Sequence, residues 1–177
     1  MITLPGMGST LRDLDVFNEN FLIAEEERTR LTRCFLQKDA LEEPYKKYVV
    51  AYDPLEGIGY LVDKLRETAE SLYEATGNPP NILLSIDSLC FNYMCEDALK
   101  LLSRISAWTR RRNGLLLFLD KSSHPRVTVK LSSIASVHLK LLRMHGCLML
   151  FGLKPRTHLY AVQTKKETLM PQLIPIV

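Results

Sequence analysis

Long hydrophobic runs are missing from this chain of 177 residues: none exceeds five apolar residues, as at 115–119 and 147–151. A helix that crosses a bilayer needs about 18 or more, so none is expected, and no membrane partner either. Residues 1–6, Met-Ile-Thr-Leu-Pro-Gly, lack the basic start and the apolar stretch of about 7–15 residues that mark a secretory signal. The expected location is cytoplasmic.

Charge of one sign is also scarce. Lys and Arg total 23 against 20 Asp and Glu, a formal charge of +3, whereas a nucleic-acid footprint gathers a larger excess on one element. The densest run, Arg110-Arg111-Arg112, follows an amphipathic segment, where cations complement the negative end of a helix dipole. A nucleic-acid partner is therefore unsupported. Four cysteines, Cys34, Cys90, Cys95 and Cys147, form no C-x-x-C pair, and reduced, buried thiols are expected. His124, His138, His145 and His158 do not join them at zinc-ligand spacings, so no metal site of Cys and His is expected. With 46% apolar and 24% charged residues, the composition is that of a globular chain, and its length predicts a single domain over 1–177.

Four segments read as buried strands, at 21–24, 48–52, 81–86 and 115–119, because they are short and almost continuously apolar. Between them, Ile58, Leu61, Val62, Leu65, Ala69 and Leu72 recur at helical spacing over 58–75, with a stop at Gly77-Asn78-Pro79-Pro80. A second helix is predicted over 96–111, with Ala98, Leu99, Leu102, Ile105 and Trp108 on one face and Asn113-Gly114 closing it. Strands alternating with helices imply a mainly parallel sheet with helices on both faces. After a helix at 126–136, the segments 138–143, 147–154 and 157–164 read as strands joined at His145-Gly146 and Lys154-Pro155. The fold class is α/β, with an antiparallel appendix that closes the parallel sheet.

In such a sheet, ligands sit beyond the carboxyl ends of the strands. Those ends carry Glu25-Glu26-Glu27, Asp53, Asp87-Ser88 and Asp120-Lys121, carboxylates able to hold a metal–nucleotide complex or to polarise a water. The run from Asn81 to Ser88 has the Walker B form, an apolar strand ending in Asp, and Asp87 is the candidate magnesium ligand. A phosphate loop of the form G-x-x-x-x-G-K-[ST] has its nearest counterpart in residues 3–10, Thr-Leu-Pro-Gly-Met-Gly-Ser-Thr. Gly6, Gly8, Ser9 and Thr10 could cradle an anion with backbone N–H groups. Thr3, however, stands for the first Gly, and Ser9 for the Lys that charges the phosphate site. Only two residues precede Thr3, too few for a full strand, and a first strand shortened in this way leaves a sheet edge to be paired.

These segments, taken in order, resemble the KaiC-like branch of the RecA superfamily. Pro5-Gly6-Met7-Gly8-Ser9-Thr10 stands at the phosphate-loop position, and Phe21-Leu22-Ile23-Ala24-Glu25-Glu26 where the family has a strand and paired glutamates. Tyr52-Asp53-Pro54 and the Walker-B-like Ile86-Asp87-Ser88-Leu89 follow. Lys154-Pro155-Arg156-Thr157-His158 is similar to the family's K-x-R-G-x-x-H segment, one residue shorter. The resemblance implies a RecA-like domain with a truncated first strand and phosphate loop. It gives Glu25 and Glu26 the water-activating positions, Asp87 with Ser88 the magnesium–nucleotide positions, and Lys154 with Arg156 contacts across to a neighbouring subunit. Read as alternate residues of one strand, Lys154 and Arg156 would face one anion together.

Three functions fit this reading. The first is a degenerate, non-hydrolysing regulatory or assembly subunit that binds ATP and magnesium weakly and works as a homo-oligomer or with a related ATPase. The second is an active NTPase with an altered loop. The third is a peptide- or protein-binding module in DNA repair or signalling, using a sheet edge or the C-terminal strands.

Overall fold

A strand paired on both sides is held by twice the hydrogen bonds of an edge strand, so a very short apolar segment can form the middle of a sheet. The computed structural model, which describes residues 1–4, 31–37, 49–121, 124–164 and 171–176, shows this at its first residues. Strand β1 is Ile2–Leu4, only three residues long. It pairs in parallel with β2 (Arg33–Gln37) through Ile2↔Arg33 and Thr3↔Cys34, and with β4 (Ile82–Ser85) through Ile2↔Ile82 and Leu4↔Leu84. All three β1 residues are buried. The first strand is short, as expected, but the expectation of an exposed edge there is corrected: β1 is interior. The predicted strand at 21–24 lies outside the described residues.

Strands β3 (Val49–Tyr52) and β5 (Leu116–Leu119) complete a five-stranded parallel sheet of order β3-β2-β1-β4-β5. β4 lies between two partners, β1 and β5, as expected. It ends one residue earlier than expected because Ser85 caps a short helix, α2 (Ile86–Asn92), its hydroxyl accepting from the Ser88 N–H at 3.4 Å. β5 ends the strand order and leaves Leu117 and Leu119 about half exposed, 47% and 56%. Continuous apolarity does not separate a central strand from an outer one. β2 carries a charged residue at its start and was not expected as a strand.

Helix α1 (Gly57–Thr76) buries Leu61, Val62, Leu65, Ala69 and Leu72, the predicted stripe, and stops at Gly77, whose φ of 69° closes an N–H bond to Tyr73 O at 2.7 Å. Helix α3 (Cys95–Arg111) packs on α1 with Ala98, Leu101, Leu102, Ile105 and Thr109. Its terminal arginines lie in the turn where cations complement the dipole. The next residue, Arg112, lies 5.7 Å from the Tyr73 ring and 5.9 Å from the Trp108 ring, and 3.6 Å from the Glu70 carboxylate. It joins α1 to α3. No helix among the described residues is long and apolar enough to cross a membrane.

The chain divides into two compact units, Met1–Thr128 and Val129–Val177, with the boundary inside helix α4 (Pro125–Ile134). The second unit holds an antiparallel sheet of order β6-β7-β8-β9, formed by His138–Met144, Cys147–Lys154, Leu159–Thr164 and Pro171–Ile176. The first hairpin turns at His145-Gly146, both at positive φ (48° and 79°), the geometry of a two-residue turn matched to strand twist. These strands form a sheet of their own instead of closing the parallel one, because short turns pair neighbours locally. β9, with two prolines among six residues, was not foreseen.

Candidate functional site

The strand order reverses direction at β1. From there the chain moves outward through β2 and β3, then returns to the other side of β1 for β4 and β5. In parallel sheets the crevice at such a point, beyond the carboxyl ends, is where ligands bind. The loops after β3, β4 and β5 place Asp53, Asp87-Ser88 and Asp120-Lys121 along that carboxyl end, as expected from the sequence. Asp53 is occupied locally: its Oδ1 accepts from the Leu55 N–H at 2.9 Å and caps a 3-10 turn.

Asp87 sits in the first turn of α2, where a carboxylate complements the helix dipole. It is 8% exposed. Oδ2 accepts from the Lys121 backbone N–H at 3.2 Å, whereas Oδ1 is enclosed and has no hydrogen-bond partner. Ser88, one position on, is also buried. The far end of α2 is tied to the neighbouring strands: Gln37 Nε2 donates to Asn92 Oδ1 at 2.7 Å, and Asn92 Nδ2 contacts Tyr52 Oη at 3.5 Å and donates to Ser88 O at 3.0 Å. Burial pushes the Tyr52 hydroxyl up, and those two amides pull it partly back. Tyr93 is pushed up to about 12 by burial, then by Tyr52 and Asp53. A polar network therefore anchors the C-terminal end of α2.

A second group was missed in the sequence. The ligand atoms of Cys90, Cys95 and His124 all lie within 4.8 Å of one another. Cys90 lies in the last turn of α2, Cys95 opens α3, and His124 precedes α4, with its carbonyl accepting from the Val127 and Thr128 N–H groups at 2.9 and 3.1 Å. Burial, then Cys95, Asp120 and Asp87, push the Cys90 thiol up to about 12. Ligand spacing along the sequence does not bring these residues together; three chain segments meet near the ends of two adjacent strands. The only sequence signal was a pair of cysteines five positions apart astride a helix break.

The remaining candidates fall elsewhere. Gly6, Gly8, Ser9, Thr10, Glu25 and Glu26 lie outside the described residues. Lys154 is the last residue of β7 and its Nζ donates to Ala135 O at 2.7 Å. Arg156 lies in the following turn, bridged back to Leu153, so the two do not occupy alternate positions of one strand. Both are exposed.

Neither a protein-family model nor a curated protein sequence matches the chain. Solved structures do. A KaiC-like protein, PH0186, from the hyperthermophilic archaeon Pyrococcus horikoshii OT3 superposes with a TM-score of 0.59 at 12% identity, over 98% of this chain and 75% of that one. The fold is RecA/KaiC-like. An uncharacterized protein from Pyrococcus horikoshii, PH0321, crystallised in complex with an unknown peptide, superposes with a TM-score of 0.68 at 13% identity, over 100% of this chain and 80% of that one.

Proposed function

We propose that this chain is a degenerate RecA/KaiC-like subunit that does not hydrolyse ATP by itself and serves a regulatory or assembly role in a homo-oligomer or beside a related ATPase. The environment of Asp87 carries the reading. Magnesium gives up its water reluctantly and is usually held with several waters retained, so its carboxylate must be open to solvent. One oxygen of Asp87 is enclosed and the other is engaged by the Lys121 N–H. The described residues do not fit a hydrated magnesium ion. The replacement of the phosphate-loop lysine by Ser9 supports the same conclusion, since it removes the cation that binds the β- and γ-phosphates. In this reading Gly6, Gly8, Ser9 and Thr10 form at most a weak anion nest, Glu25 and Glu26 have no activated water to serve, and Lys154 and Arg156 reach a neighbouring subunit.

The test is a titration of the purified chain with ATP, with and without magnesium, followed for turnover. The loss of one charge-assisted phosphate contact of about 1.5–3 kcal/mol predicts affinity one to two orders of magnitude below an intact phosphate-loop protein, and no turnover. Micromolar, magnesium-dependent binding with hydrolysis, abolished by Gly8→Ala, overturns the proposal.

A second reading, a peptide-binding module, is favoured by the similarity to PH0321. In the antiparallel sheet, β9 carries Pro171 and Pro175, which cannot donate to an added strand, while β6 has no proline and exposes Leu139 and Leu141. Strand addition at β6 is the mode this reading requires. Proline substitution at Lys140 would abolish binding of an extended peptide and leave ATP titrations unchanged.

A further inference from the structure

We propose that Cys90, Cys95 and His124 form a binding site for one zinc-type divalent ion. Two atoms bound to one centre at about 2.3 Å can be no farther apart than about 4.6 Å, and the three donor atoms all fall within 4.8 Å of one another. A small closure of the cluster suffices to enclose an ion. The donors are two sulfurs and an imidazole nitrogen, the set that selects zinc over magnesium or calcium. The inference is independent of the nucleotide reading, since none of its ligands belongs to the phosphate-loop resemblance.

Three further features point to a cation. Each ligand is fixed at the end of a different helix: Cys90 in the last turn of α2, Cys95 at the start of α3, and His124 before α4, with two backbone N–H groups anchoring its carbonyl. The positive end of the α3 dipole faces the anionic ligand that Cys95 becomes. Asp87 lies three positions before Cys90 on the same helix, hence on the same face, and its enclosed Oδ1 has no partner. Asp120, four positions before His124, accepts from the Thr128 hydroxyl at 2.5 Å.

Binding balances simply. The thiols of Cys90 and Cys95 each lose a proton to solvent, the two thiolates and one His124 ring nitrogen donate electron pairs to the ion, and no oxidation occurs. Three protein ligands leave one tetrahedral position for water.

The experiment uses the full chain, stripped with a chelator, reduced, and titrated with cobalt(II) alone. Expected are one cobalt per chain, sulfur-to-cobalt charge-transfer absorption in the near ultraviolet, and displacement by zinc. Cys90→Ser, Cys95→Ser and His124→Gln should each weaken cobalt binding by more than about a hundredfold, beyond the range of outer-shell losses, and Cys147→Ser should leave it unchanged. To avoid dependence on variants that misfold, alkylation of the wild-type thiols is followed with and without one equivalent of zinc, and zinc should protect Cys90 and Cys95 but not Cys147. Absence of the charge-transfer band at equimolar cobalt overturns the proposal. Equal alkylation of Cys90 and Cys95 with and without zinc also overturns it, as does a band that survives Cys90→Ser.

Discussion

The carboxylate of Asp87 accepts its hydrogen bond from the backbone N–H of Lys121, 34 residues away and just beyond the adjacent strand β5. The bond ties the loop after β5 to the helix after β4. Because Oδ1 of the same carboxylate is enclosed without a partner, the arrangement is half satisfied, which is a cost.

Asp87→Asn therefore raises the stability of the metal-free chain. The amide oxygen can keep the Lys121 bond while the buried charge disappears, a gain of about 1 kcal/mol and of roughly 2–4 °C in Tm at this chain length. Thermal unfolding in chelator measures it. A lower Tm would mean that Oδ1 has a partner which the carboxylate needs.

Cys34 makes stability fall in alkali. It is fully buried in β2, and burial pushes its thiol from 9.0 up to about 12. The unfolded chain loses this proton near 9, whereas the folded chain holds it to about 12, so between those values the unfolded state binds fewer protons and stability declines as pH rises. The contribution is fully present below pH 9. Cys34→Ala should flatten the decline between pH 9 and 12 in urea unfolding, and an unchanged slope would assign it to other groups.

Two glycines should respond oppositely to alanine. At Gly114 a Cβ would meet Pro80 O at 2.7 Å and Thr109 Cγ2 at 3.0 Å, and a backbone oxygen cannot swing aside, so Gly114→Ala costs about 1–3 kcal/mol. Gly59 lies in α1 with open space around it, and Gly59→Ala should stabilise by about 0.5–1 kcal/mol. Urea midpoints at unchanged m-value check both.

Lys154→Ala and Arg156→Ala test the assembly role. Both residues are exposed, so each substitution should change intrinsic stability by less than about 0.5 kcal/mol, while lowering oligomer size or a partner's ATPase rate if the pair contacts a neighbour. Arg156 should dominate, because Lys154 already donates to Ala135 O. Unchanged assembly and unchanged partner activity in both variants would reduce the pair to ordinary surface charge.

Local physics was written in the residues themselves. The apolar stripe from Leu61 to Leu72 became the buried face of α1, Gly77 its stop, and His145-Gly146 a hairpin turn, because helical spacing, a left-handed cap and a tight turn each depend on a few neighbouring residues. The strand ends at Asp53, Asp87 and Asp120 were legible for the same reason, and the alternation of apolar strands with helices carried the α/β reading. Partnership over distance was not. Ile2–Leu4 read only as a shortened strand that leaves a sheet edge, yet pairing with both β2 and β4 makes it the centre of the sheet. Cys90, Cys95 and His124 follow no ligand spacing, and they meet only because parallel strands β4 and β5 bring their following loops to one end of the sheet. What sequence periodicity determined was which faces are buried; what tertiary structure decided was which residues share a site, since that depends on strand order, a property no local segment encodes.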